Sequence, residues 1–168
     1  MGHHVQVKKG TTAQASVHVD APPEAVYAVV TDVTRMGEWS PETVKCVWIE
    51  GATGPAVGAR FKGTNKRGIL KWSTKPLVVA ADPPREFSFD VRTDTRWTYR
   101  FTPDGTGTML TESFEMLRDI RWYYAFGERW LMRVTDRRAD LERGMATTLD
   151  RIKHVVETER SQAAGHAD

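Results

Sequence analysis

Tyr99 and Glu115 are the side chains best suited to acid–base chemistry inside an apolar pocket. A carboxyl group or a phenol becomes useful there because burial raises its pKa. Thr111 and Ser113 would add hydroxyl groups to the same pocket. The single cysteine, Cys46, is expected to be a small buried apolar residue instead of a nucleophile. No motif identifies catalytic residues beyond these candidates.

Motifs of several other chemistries are missing from the sequence. "GATGPAVG" has spaced glycines, but no Lys-Ser or Lys-Thr pair follows to bind a phosphate. One cysteine and scattered histidines do not give the usual zinc patterns. A G-x-S-x-G nucleophile elbow is also missing. We therefore expect neither a metal ion nor a cofactor.

Length, charge and cysteine content indicate an ordinary globular domain. The 168 residues carry 24 basic and 22 acidic side chains, a balance that does not predict a nucleic-acid partner. No apolar run approaches the roughly 18 residues of a membrane span, so no integral membrane segment is expected. A single cysteine is compatible with a reducing compartment, and we expect a cytoplasmic protein.

Hydrophobic periodicity predicts the order strand, helix, strands, helix. Alternation from Ala13 to Val19 indicates a strand, and Asp20 with two prolines could begin a helix. Six further β segments follow up to Met116, and the chain is helical in character up to Arg160. This order is typical of an α+β fold with an antiparallel sheet. We expect a flexible N-terminus at 1–12, one domain at 13–160 and a disordered tail at 161–168.

Strand pairing can be tested by asking which register brings the large residues together. Pairing Phe89 with Tyr99 does so in one hairpin, and pairing Phe61 with Trp72 does so in another. The predicted aromatic face consists of Phe61, Leu70, Trp72, Phe87, Phe89, Trp97, Tyr99 and Phe101. Pairing Phe101 with Met109 then adds the polar residues Thr111, Ser113 and Glu115 to that face.

The helix that must cover this face is narrow. Its apolar stripe consists of Leu141, Met145 and Leu149, and Gly63 and Gly144 leave further volume unfilled. A wide aromatic sheet under one slim helix can enclose a ligand-sized cavity. A solid core filled by other side chains is the alternative.

Several stretches resemble the START-like, SRPBCC superfamily in its polyketide cyclase/dehydrase branch. They are "VHVDAPPEAVYAVVTDVTRMGEWSP", "GPAVGARFKG", "VVAADPPREFSFDV", "WTYRFTPDGTGTMLTESFE" and "LERGMATTLDRIKHVVE", and together they span about Ala13–Glu157. The resemblance implies a START/Bet v 1-like helix-grip fold: a curved seven-stranded antiparallel sheet wrapped around a long C-terminal helix, with two short helices after strand 1. It also implies a deep apolar cavity.

The predicted ligand-binding residues combine the aromatic face with residues at its borders. They are Trp39, Phe61, Trp72, Phe89, Trp97, Tyr99, Phe101, Thr111, Ser113, Tyr124, Met145 and Leu149. Trp39 is expected at the cavity mouth, although it could instead pack helix against sheet. Tyr124 belongs to the segment "RDIRWYYAFGERWLMRVTD", which could roof the cavity or pack on a sheet edge or a partner subunit.

Three functions follow, in order of preference. The first is binding or carriage of a small hydrophobic molecule: a lipid, a polyketide or an aromatic metabolite. The second is a polyketide cyclase, aromatase or dehydratase acting on such a ligand. The third is a protein-interaction module with a filled core and an exposed apolar patch around Tyr123–Trp130. A partner subunit packed against the segment around Tyr124 would form a homodimer.

Overall fold

A computed structural model describes residues 9–119 and 137–166. Its elements are β1 (Thr12–Val19), α1 (Pro23–Thr31), a 3₁₀ helix (Val33–Glu38), β2 (Thr43–Ile49), β3 (Arg60–Arg67), β4 (Leu70–Thr74), β5 (Leu77–Asp82), β6 (Glu86–Val91), β7 (Thr95–Asp104), β8 (Gly107–Met116) and α2 (Arg137–Gly165). The predicted order of elements is confirmed. Helix α2 continues past residue 160, where the sequence predicted that the domain ends.

The strands of the described ranges form one antiparallel sheet in the order β1-β8-β7-β6-β5-β3-β2, with β4 paired to β3. Gly63 of β3 pairs with Cys46 of β2 on one side and with Thr74 of β4 on the other. Arg60 of β3 pairs with Leu77 of β5. Strands β4 and β5 therefore share one position, and the sheet has the predicted seven positions, curled around α2 in a helix-grip fold.

The end of β1 is fastened to α2. Pro22 is the N-cap of α1 and Pro23 its first residue, so the expectation that Asp20 caps this helix is wrong. The Asp20 N–H instead donates to Glu157 Oε1 at 2.9 Å, and its carbonyl oxygen accepts from Arg160 at 2.8 Å. Proline suits the first helical turn because its missing N–H has no partner to lose there.

Helix α2 lies alongside β1 and runs in the same direction. Met145 is in one apolar cluster with Ala13, and further along the helix the Lys153 ammonium donates to the His18 carbonyl at 2.8 Å. The buried residues of α2 are Met145, Thr148, Leu149, Ile152 and Val156. Their 3–4-residue spacing places one stripe of the helix against the sheet.

Two of the predicted hairpin registers are displaced by even numbers of residues. Phe89 pairs with Trp97 and not with Tyr99, a shift of two. Trp72 pairs with Asn65 and not with Phe61, a shift of four. Because side chains alternate with a period of two, these shifts leave every residue on its predicted face.

The third predicted register is displaced by one residue, and its faces are inverted. Phe101 pairs with Leu110 and not with Met109. The turn after Asp104 contains only two residues, of which Gly105 has φ 60°, whereas the predicted register needs a three-residue turn. The residues moved to the outer face are Thr111, Ser113 and Glu115.

Candidate ligand site

A run of aromatic rings lines the inner face of the sheet. The ring centroids of Trp48 and Phe61 lie 5.7 Å apart, those of Phe61 and Phe89 5.2 Å, and those of Phe87 and Phe89 5.8 Å. Such tilted and edge-to-face contacts are favourable for aromatic pairs. The aromatic face predicted from the sequence is therefore present on these strands.

Two further ring contacts extend this face toward β8 and α1. Trp97 and Phe114 have centroids 5.1 Å apart, and Tyr27 of α1 lies 5.2 Å from Phe101. Phe114 also belongs to the apolar cluster that contains Met145 of α2. The inner face thus meets apolar residues of both helices.

One polar pair interrupts the inner face. Tyr99 of β7 stands opposite Glu112 of β8, and its hydroxyl donates to Glu112 Oε1 at 2.9 Å. Glu112 is only 4 % exposed and Tyr99 only 5 %. The neighbours of Glu112 on its face of β8 are Leu110 and Phe114, both buried. A carboxyl group in such apolar surroundings is strongly disfavoured as an anion.

Burial shifts both partners of this pair. It raises the pKa of Glu112 to about 7, although the hydrogen bond from Tyr99 opposes the shift. The pKa of Tyr99 lies well above its usual value, first because of burial and then because of the nearby Glu112 charge and hydrogen bond. Near neutral pH, Glu112 therefore exists in both protonation states while Tyr99 stays a phenol.

The interior also contains polar atoms without partners in the described part of the chain. Within the described ranges, Glu112 Oε2 and the Tyr27 hydroxyl oxygen are buried and lack a hydrogen-bond partner. Burial also raises the pKa of Tyr27, with a smaller effect from Asp82. A buried polar atom left unpaired costs about 1–3 kcal/mol. Both atoms therefore keep unused hydrogen-bonding capacity in the interior.

The surroundings of this pair are partly open. Ala15, which faces Glu112 from β1, and Trp97, on the same face as Tyr99, keep partial exposure. A Cβ added to Gly144 of α2 would meet no atom of the described residues within 4 Å. Gly144 is itself partly exposed, so the space beside it is open at the surface of the helix.

Gly63, the other glycine that was expected to leave volume unfilled, is closely surrounded by side chains. A Cβ added to Gly63 would lie 3.2 Å from Thr74 Oγ1 and 3.6 Å from Cys46 Sγ. Its volume is therefore already taken by neighbouring side chains. The expectation that Gly63 leaves unfilled volume is therefore wrong.

Two surface depressions lie away from the aromatic face. One of about 520 Å³ is formed by the loop at residues 50–60. The other, of about 310 Å³, lies between Glu38 and α2, where Asp150, Arg151 and His154 line it. Small residues, mainly glycine and alanine, line the first, and the second combines charged side chains with Val155.

Trp39 does not lie at a mouth. It is 1 % exposed and belongs to the main apolar cluster, directly after the 3₁₀ helix. The alternative, a structural tryptophan between helix and sheet, describes it better. On α2, Met145 and Leu149 are buried as expected. Tyr124 and the patch Tyr123–Trp130 lie outside the described residues.

The polar residues predicted for the pocket lie on its opposite side. Thr111 bonds to Ser16 through their hydroxyl oxygens at 2.8 Å, Ser113 pairs with Thr98, and Glu115 is exposed. Their predicted inward orientation is wrong, because the turn is one residue shorter than assumed. The buried inner-face carboxyl group that the sequence analysis did not identify is Glu112.

The curled antiparallel sheet around a long C-terminal helix defines a START-like, Bet v 1-like protein. The chain belongs to the polyketide cyclase / dehydrase and lipid transport family, which it matches over residues 10–157. This confirms the resemblance recognised in the sequence.

Solved structures of other proteins are similar to this chain. A polyketide-cyclase-like protein of Corynebacterium glutamicum has 36% sequence identity and a TM-score of 0.63, with 92% of this chain and 96% of that chain covered. A major latex-like protein of Panax ginseng has 14% identity and a TM-score of 0.65, with 86% and 95% covered, and it shares the fold alone. Comparison with curated proteins found no match.

No helix within the described ranges is long and apolar enough to cross a membrane.

Proposed function

We propose that the protein binds or carries a small hydrophobic molecule, a lipid, polyketide or aromatic metabolite, between the sheet and α2. The observation that carries this proposal is the buried, unpaired Glu112 Oε2 in the middle of an aromatic face. An apolar surface with a few convergent polar groups is typical of a small-molecule site. The family's description, which includes lipid transport, supports the same function.

We also propose that binding takes place in the cytoplasm, a reducing compartment with which the single free cysteine, Cys46, is compatible. A homodimer remains a separate prediction from the sequence. Sedimentation at several protein concentrations tests it.

A ligand panel tests the function directly. Fatty acids and aromatic polyketides are added to the purified protein, and thermal unfolding is followed together with native mass spectrometry. A ligand that binds only the folded state raises its stability by mass action, by about 2.7 kcal/mol at 100 times Kd. A panel that leaves the unfolding temperature unchanged throughout contradicts the proposal.

A steric block locates the site. Gly144→Leu projects a side chain into the open space beside α2 and should weaken binding of any panel ligand at least tenfold. Ala146→Leu is the matched control, because Ala146 is exposed on the same helix. Equal binding by both variants would place the ligand elsewhere.

The second candidate is a cyclase or dehydratase, favoured by the pKa of Glu112 near 7. The ionised Oε2 can accept a proton from a carbon next to a ligand carbonyl. The resulting carboxylic acid can return that proton to a departing hydroxyl group, which leaves as water. Glu112→Gln should then abolish turnover and retain ligand binding. Unchanged turnover in this variant contradicts the enzyme.

A further inference from the structure

We infer that Glu112 anchors the ligand as a neutral carboxylic acid, donating from Oε2 to an accepting oxygen such as a ketone or ester carbonyl. The inference rests on the proposed function and names the chemical group that the ligand presents. A plain hydrocarbon and an amine are the classes it disfavours.

Tyr99 determines which carboxyl oxygen is available. Its hydroxyl donates to Oε1 at 2.9 Å, so Oε1 already has a partner and Oε2 has none within the described ranges. The antiparallel pairing sets Tyr99 and Glu112 directly opposite each other. Oε2 is therefore the oxygen that carries the proton of the neutral acid and presents it to a ligand.

The surroundings of Glu112 favour its neutral form. It is 4 % exposed and stands on its strand face between Leu110 and Phe114, with Ala15 opposite on β1. No ion pair of the described residues includes Glu112. A carboxylate in such a place is poorly solvated. The raised pKa agrees with this geometry.

A neutral acid with a free proton discriminates between ligands. A carbonyl oxygen accepts that proton, whereas a hydrocarbon of equal size buries the donor unpaired. The difference corresponds to roughly tenfold or more in affinity. Ala15, opposite Glu112 on β1, has a small side chain and is partly exposed, so we expect a ligand to approach from this side.

Matched probes measure the preference. The pairs are 2-acetylnaphthalene with 2-ethylnaphthalene, and 2-undecanone with undecane, and 2-(aminomethyl)naphthalene serves as the cationic probe. Affinities come from calorimetry or from quenching of tryptophan fluorescence. For the wild type we expect each ketone to bind about tenfold more tightly than its hydrocarbon partner.

Three variants assign the preference to one residue. Glu112→Gln keeps a donor, now an amide N–H, and should keep the ketone preference, whereas Glu112→Leu should reduce the affinity ratio to near one. Glu115→Gln is the matched control, because it alters an exposed carboxylate on the same strand and should change nothing. Should Glu112→Leu not fold, the ¹³C resonance of the Glu112 carboxyl in the wild type should shift with ketone and not with hydrocarbon.

Failure of this inference and failure of the proposed function give different experimental results. A ketone preference that survives in Glu112→Leu overturns the inference, as does an unshifted carboxyl resonance with bound ketone. Tighter binding of the amine than of the ketone, lost in Glu112→Gln, would show that the carboxylate is the binding form and would also overturn it. Wild-type protein that binds no probe of either pair contradicts the proposed function itself.

Discussion

The polar groups on the two faces of strands β6, β7 and β8 differ in how completely they are hydrogen-bonded. On the outer face, Ser88 donates to Thr98 Oγ1 at 3.0 Å, and Arg96 forms two hydrogen bonds with Asp90 at 2.7 and 2.9 Å. On the inner face, Glu112 has one oxygen bonded and one unpaired within the described ranges. The outer groups are satisfied by each other, whereas the inner group still has bonding capacity.

This difference separates polar groups that bond to each other from one that keeps an unpaired oxygen within the described ranges. The partly exposed Arg96–Asp90 pair contributes little free energy because solvent screens it, and the buried hydroxyls of Ser88 and Thr98 are bonded to each other. A half-satisfied group in a low-dielectric interior has a large effect on stability, pKa and ligand choice. Substitutions on the two faces should therefore differ strongly in their consequences.

The largest effect is expected at the aromatic part of the inner face. Phe87 is 0 % exposed, so Phe87→Ala should lower the free energy of unfolding by about 3–5 kcal/mol through lost burial and the resulting cavity. Urea unfolding measures it, with Arg100→Ala on the outer face as the control. A loss below about 1 kcal/mol would show that the ring is not tightly packed.

The second effect is a pH dependence that belongs to Glu112. Its pKa is about 7 in the folded protein and near the ordinary 4.5 when unfolded, so the folded state binds more protons between these values. Stability is therefore highest below this window and falls as pH rises through it, by about 3 kcal/mol. Glu112→Gln should remove this slope.

Unfolding free energies of wild type and Glu112→Gln at several values between pH 5 and 8 measure that difference. Titrations elsewhere in the protein cancel because both chains contain them. Parallel pH profiles of the two proteins would mean that Glu112 ionises as it does in water.

A smaller effect is expected for the ion pair on the outer face. Arg96 forms a bidentate pair with Asp90, but its side chain is 39% exposed, so solvent screens much of the attraction. Arg96→Met should cost about 1 kcal/mol or less, and high salt should reduce the difference further. A loss above about 2 kcal/mol would show that the outer face also depends on its charges.

The smallest effect is expected three residues from Glu112. Glu115 is exposed on β8, so Glu115→Gln should change the unfolding free energy by no more than about 0.5 kcal/mol at any pH between 5 and 8. Urea unfolding beside Glu112→Gln measures this contrast. A pH slope that disappears in Glu115→Gln would reverse the assignment of the inner carboxyl group.

The sequence predicts the faces of β3, β4, β6 and β7 better than their registers. Alternation assigns Phe87 and Phe89 to one face whatever the pairing partner, and even shifts preserve that assignment. The conformation of the turn after Val91 could not be predicted from the sequence. Arg92 and Thr93 have φ of 60° and 82°, and these residue types rarely adopt positive φ.

The polar residues assigned to the candidate site depended on the β7–β8 register, which differs from the predicted register by one residue. Strand β8 has apolar residues at Leu110, Phe114 and Met116, and Glu112 shares their parity. The turn signal at Gly105, typical of a two-residue loop, was the available evidence for this register. A glutamate among apolar residues of one parity is the signal that could have identified Glu112.

The burial of Trp39 could not be predicted from the sequence for a different reason. Its burial depends on how the 3₁₀ helix rests on β2, where a Cβ on Gly37 would lie 2.8 Å from the Val44 carbonyl oxygen. This close approach is a tertiary contact between segments that sequence patterns treat separately. Local periodicity therefore could not distinguish a rim tryptophan from a core one.

The short turn between β7 and β8 fixes which residue of β8 stands opposite Tyr99. Gly107 fits so closely that a Cβ there would lie 2.4 Å from the Val19 carbonyl oxygen, which holds the hairpin end in place. A shift of the β7–β8 register by one residue would place Thr111 or Ser113, instead of Glu112, opposite Tyr99. The fit of this turn at the surface thus determines which polar side chain reaches the interior.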